Sequence, residues 1–183
     1  MILPVYVVGS PVLRKVAEDI DAAYPELQGL ISNMFDTMSF SDGVGLAAPQ
    51  IGKSIRLFVI DASPMAEDYP DLVGFKRVFI NAHITERFGD PWYFNEGCLS
   101  IPNLRENVLR EESIRIEYVD ENFQPHAEVF NGIAARVIQH EYDHLEGVLF
   151  IDKLAQIRKR MVQGKVTAIT KGRFSASYKT KIG

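Results

Sequence analysis

A single cysteine in 183 residues has no partner, so no internal disulfide staples the chain and Cys98 is a free thiol, open to chemistry or to burial. Long apolar runs are missing too. None approaches the ~20 residues that a membrane-spanning helix needs. The opening "MILPVYVVGS" lacks the basic start and long apolar stretch of a secretory signal. The expectation is a cytoplasmic protein with no membrane partner. Acidic residues stop at Asp152, whereas nine Lys or Arg follow it, so a basic C-terminal extension begins at about residue 153. The whole chain nevertheless carries a net charge of -4, which argues against nucleic-acid binding by the protein as a whole and against specific DNA recognition. Internal repeats and low-complexity tracts are also absent.

What is present suits one compact catalytic domain over residues 1–183: the chain is 46% hydrophobic and 24% charged, and long enough to bury a core. Leu27, Leu30, Ile31, Met34 and Met38 recur at helical spacing and predict an amphipathic helix from about Pro25 to Ser39. Ile55 to Asp61 and Arg77 to Ile84 are apolar and β-branched, which predicts two strands joined by a long irregular loop. "SIRIEYVDENFQPHAEVF" alternates on either side of a polar turn and predicts a hairpin. In "NGIAARVIQHEYDHLEG" the period changes, placing Ile133, Val137, His140 and His144 within one arc of a helix that Gly147 can close. Strands and helices do not alternate as βαβ units would. The predicted class is α+β, with mainly antiparallel sheets packed around a central helix carrying the histidines.

Two histidines four residues apart on one helical face can aim their rings at one divalent ion, and Glu141 beside the first can stand next to a metal-bound water. Hydrolytic sites of this kind use three protein ligands and an open position. The familiar continuation H-E-x-x-H-x-x-G-x-x-H is followed as far as Gly147 and then fails, because Phe150 occupies the last position. No acid lies beyond Asp152 to serve from a later helix. Of the upstream candidates, His83 and His126 sit in strand-like segments with no partner and are expected to be ordinary surface or core histidines. Cys98, next to Gly97, is a better ligand for a borderline-soft ion. A Cys98–His140–His144 site is predicted.

"GVGLAA", Gly43 to Ala48, matches a dinucleotide-binding glycine pattern, with Asp61 near the expected ribose-binding position. Such a loop must follow a strand and open a helix, whereas this one follows a helix and meets Pro49 and Gly52. The nucleotide reading is therefore set aside. Gln50 remains as a side chain that can donate hydrogen bonds beside closely packed backbone.

Three stretches now stand in order: "GVGLAAPQIG" (43–52), "EGCLSIP" (96–102) and "QHEYDHLEG" (139–147). Together they closely resemble the peptide deformylase family, and the likeness extends from residue 2 to about Lys153. "GSP" near the start stands where Asp-Pro is commoner, and the loop from Pro64 to Phe75 is long; neither departure touches the chemistry.

The resemblance implies a metal-dependent hydrolase that removes the formyl group from the initiator methionine of nascent polypeptides and releases formate. It implies that Cys98, His140 and His144 bind one divalent metal ion, Fe(2+) in the cell, with Zn(2+), Ni(2+) or Co(2+) possible in purified protein. Glu141 would be general base and then acid, while the Gln50 side chain and the Leu99 backbone N–H would hold the developing oxyanion. Gly45 would offer backbone contacts to the peptide and Arg105 would lie at the pocket rim. Val44 and Val137 are candidate walls of an apolar methionine pocket. The basic C-terminal stretch is either a solvated face or a contact to the ribosome. Two rivals remain: a metallopeptidase cleaving peptide bonds with the same helix, and a non-catalytic binding module with a structural metal, which would normally require four protein ligands.

Overall fold

The computed structural model describes residues 1–183. A five-stranded antiparallel sheet runs in chain order: β2 (Gly45–Ala47), β3 (Leu57–Asp61), β4 (Lys76–Cys98), β5 (Ile101–Val119) and β6 (Pro125–Asn131). A second, two-stranded parallel sheet joins β1 (Val5–Tyr6) to β7 (Thr180–Lys181), at opposite ends of the chain. Three helices complete the fold: α1 (Leu27–Phe40), α2 (Gly132–Leu145) and α3 (Gln156–Thr170). The α+β class and the central motif-bearing helix follow the expectation, since α2 packs across β2, β3, β5 and β6.

Each helix buries its apolar stripe in a separate cluster. α1 lays Leu30, Met34 and Met38 on Leu46, Leu57 and Val59. α2 sets Ile133, Ile138 and Leu145 against Phe58, Phe79, Ile114 and Ile116. α3 covers Val7, Ile101 and Phe150 with Val162, Val166 and Ile169. A buried Leu or Ile contributes roughly 1.5–3 kcal/mol by leaving water, so these stripes rather than propensity hold the helices in place.

Sequence periodicity located the hairpin of β5 and β6 but missed most of the β4–β5 pair. β4 runs well beyond the predicted end at Ile84, and its register slips at four places, one of them between Phe88 and Pro91. The slip between Phe88 and Pro91 gives β4 one residue more than β5, so a proline and Gly89 (φ 82) are tolerated inside a strand that would otherwise exclude them. Asn81, another left-handed position (φ 56), sits at the first slip and ties it to the N-terminal region: its side chain accepts from the Ile20 N–H at 2.8 Å and donates to the Ile20 carbonyl at 2.7 Å.

The other elements shift less. α1 starts and ends slightly later than Pro25 to Ser39, and the long loop contains two short 3-10 turns, Ser63–Met65 and Pro70–Leu72. The glycine-rich segment is strand β2 followed by a 3-10 turn at Ala48–Ile51, so no helix opens behind it. The basic C-terminal stretch is folded onto the molecule through α3 and β7.

Candidate metal centre

α2 brings His140 and His144 to one face, and the β4–β5 turn brings Cys98 to meet them. One ligand atom from each lies within 4.8 Å of the others, and Cys98 Sγ is 3.4 Å from His144 Nε2. A soft thiolate with two imidazoles is a donor set for a borderline divalent ion, and three donors leave a position for water or substrate. The residues therefore fit the implied metal. His83 and His126 stand elsewhere: His83 is half exposed beside Asp19, and His126 stacks on Tyr118 and bonds Asp120 at 2.7 Å.

His140 is oriented by Glu96, whose Oε1 lies 2.9 Å from its Nδ1, which turns the other ring nitrogen towards the cysteine. Glu96 is itself held by Arg110 through two bonds of 2.8 and 3.0 Å and by Arg136 at 2.7 Å, and Arg110 also reaches Asp143 at 2.7 Å. All four charged groups are buried. Burial pushes the Glu96 carboxyl up, but the hydrogen bonds from His140 and Arg110 overcome it and hold the group well below the usual carboxylate range. Burial likewise favours neutral imidazoles. At His140 the bonds to Cys98 and Glu96 outweigh it and the pKa lies well above the ordinary value; at His144 burial, reinforced by the charge on His140, takes it well below.

Glu141 occupies the wall beside the ligands, is buried, and has Oε2 without a hydrogen-bond partner. Burial pushes its pKa up to about 7. The backbone of Gly45 runs against this carboxylate so closely that a Cβ there would lie 2.6 Å from Oε1. This is the physical demand behind the second glycine of "GVG". Gln50 is fixed from the other side: its Oε1 accepts from the Ala47 N–H at 2.9 Å, which leaves Nε2 to face Ser100 Oγ at 3.1 Å and Cys98 Sγ at 3.5 Å.

These groups open onto a cleft of about 500 Å³ that Val44, Gly45, Gln50, Leu99, Val137 and Glu141 all line. Arg105 also borders it, lying over Gly97 and bonded to Asn95 through Nε at 2.7 Å. His144 is buried beneath, at 1% exposure. Every residue that the sequence assigned to the site therefore converges on one place. Sequence reasoning missed Glu96, Arg110 and Arg136. It also missed Met65 of the long loop, Phe94 and Tyr178, which line the same cleft. Glu96 had a signal, standing two residues before Cys98, but its buried arginine partners lie far along the chain.

The chain is similar to known proteins along nearly its whole length. Residues 2–160 match the sequence profile of the family described as polypeptide deformylase. A peptide deformylase of Flavobacterium johnsoniae is 53% identical, with 99% of this chain and 96% of that one covered. One of Christiangramia forsetii is 51% identical over the same shares. Among solved structures, the peptide deformylase of Thermus thermophilus superposes with a TM-score of 0.83 at 37% identity, covering 94% of this chain and 99% of that one.

Proposed function

The chain belongs to the polypeptide deformylase family, and from that premise we propose how its cleft works as a metal-dependent hydrolase that removes the formyl group from the initiator methionine of new polypeptides and releases formate. Cys98, His140 and His144 hold the ion. The observation that carries this reading is the approach of their three ligand atoms to within 4.8 Å, beside a buried carboxylate with a free oxygen.

A divalent ion held by those donors would supply Lewis-acid polarisation and would lower the pKa of a water towards neutrality. Glu141 takes the proton of the attacking water and delivers it to the departing methionine nitrogen, acting as base and then acid. Gln50 Nε2 and the Leu99 N–H hold the formyl oxygen as it gains charge. Such preorganised donors are each worth about 3–4 kcal/mol in acyl-transfer sites, because they need no reorientation when charge appears. Val44 and Val137 receive the methionine side chain, the Gly45 backbone bonds the peptide, and Arg105 guards the rim. Glu96 keeps His140 in the orientation its bond defines.

Ferrous iron is the proposed ion in the cell; the same donors suit Zn(2+), Ni(2+) or Co(2+) in purified protein. Residues 1–183 are proposed as one catalytic domain, supported by β7 closing onto β1. The proposed setting is cytoplasmic, where nascent chains emerge. The exposed bases of the C-terminal region, Arg160, Lys165 and Lys171 among them, are proposed to meet the ribosome. Reversing those three charges then weakens co-sedimentation with ribosomes at low salt; unchanged co-sedimentation counts against the contact.

Incubation with a formylated methionyl peptide and with its longer unformylated counterpart tests the activity. The expected products are formate and a free N-terminal methionine from the first and nothing from the second. Cleavage within the second peptide would instead support the metallopeptidase alternative.

A further inference from the structure

Cys98 ends β4, and the Leu99 N–H opens the tight connection, Leu99–Ser100, that leads into β5. The register slips between Gly97 and Cys98, so the ladder reaches this turn only through the single pair Cys98–Ile101. Outside contacts supplement it. The Val8 N–H donates to the Ser100 carbonyl at 2.8 Å, and Gln50 Nε2 donates to Ser100 Oγ at 3.1 Å. Both act on Ser100. On Leu99 itself the contact comes from the far end of the chain, where the Tyr178 hydroxyl donates to the Leu99 carbonyl at 2.7 Å.

Tyr178 is held for this contact on both sides. Before it, the Asn103 side chain donates to the Ser175 carbonyl at 2.7 Å; after it, the Val5 N–H donates to the Lys179 carbonyl at 2.9 Å and β7 pairs with β1. The ring also borders the cleft together with Ala176 and Ser177. None of this C-terminal segment lies in the 2–160 stretch that matches the family profile.

We propose that Tyr178 is a positioning residue for deformylation: its hydroxyl anchors the Leu99 carbonyl and so aims the Leu99 N–H at the formyl oxygen. This rests on the reading of Leu99 as an oxyanion donor. An anchor that aims a group needed mainly in the transition state affects kcat, whereas a wall that only touches bound peptide affects KM.

The test is Tyr178→Phe, which keeps the ring and removes the donor, in metal-loaded protein with its metal content measured. One neutral hydrogen bond corresponds to a loss of about threefold to tenfold. The expected result is a fall in kcat of that size with KM within about twofold of wild type on formyl-Met peptides of two and four residues, and unchanged metal content. In the zinc form, the Ser100 amide nitrogen, which shares a peptide with the Leu99 carbonyl, is expected to shift in its NMR spectrum. Unchanged kcat, or a loss carried by KM alone, overturns the proposal, as does an unmoved Ser100 resonance. Should wild type release no formate, the deformylase reading fails instead, and the resonance still decides whether the anchor exists.

Discussion

At the scale of single residues, Glu141 and Gly45 form one unit. Glu141→Gln keeps the shape of the side chain and removes its ability to accept and return a proton, so kcat is expected to fall by about 10²- to 10⁴-fold with metal content unchanged. Loss of metal in parallel with activity would assign Glu141 to binding the ion. Gly45→Ala places a Cβ 2.6 Å from the Glu141 carboxylate, and backbone on one side with a buried helix on the other leaves little room to yield. Displacement of the carboxylate is expected, with activity reduced at least tenfold and metal retained; near-wild-type activity would mean that the strand can move. The three donors of the candidate metal centre were legible in the sequence because the two histidines demanded a third donor and Cys98 was the best one left. Glu96 was not, since its importance lies in a buried charge cluster built from Arg110 and Arg136, and no periodicity marks a charge that faces inward.

The same inward charges explain what was hidden at the scale of elements. β5 alternates buried and exposed along its length, but its buried positions include Glu106 and Arg110 beside Leu104 and Val108, so hydrophobic alternation is broken where the strand is regular. In β4 the residues from Thr85 to Asn95 are largely exposed and interrupted by Gly89 and Pro91, a composition that reads as loop. Helices α1 and α2 were legible because their apolar stripes are intact. Arg110 joins β5 to β4 through Glu96 and to α2 through Asp143. Arg110→Leu takes the closest cation from buried Asp143 and two of the hydrogen bonds from buried Glu96, which keeps Arg136, and a loss of about 3–5 kcal/mol is expected, because removing one member of a buried ion pair strands the other. Denaturant unfolding of both proteins in the same metal state measures it, and a loss under about 1 kcal/mol would mean that water or Arg136 takes over.

At the scale of the molecule, the chain closes on itself: β7 pairs with β1, α3 covers Val7 and Phe150, and Tyr178 returns to the turn between β4 and β5. Only the charge of this region could be read in advance. Strands of two residues leave no pattern, and a parallel pairing between chain ends is set by packing that local sequence does not report. The consequence is a site assembled from β2 and its following turn, the β4–β5 turn, α2 and the C-terminal segment, all around three donors for one ion. The most direct measurement is formate release from a formyl-Met peptide by anaerobically prepared, metal-free protein as ferrous ion is added back. Activity is predicted to rise linearly and saturate at one equivalent per chain, and to stay near background for Cys98→Ala. No formate at full loading, or a Cys98→Ala protein that saturates as wild type does, would contradict the assignment of the thiolate as the third ligand of a deformylase centre.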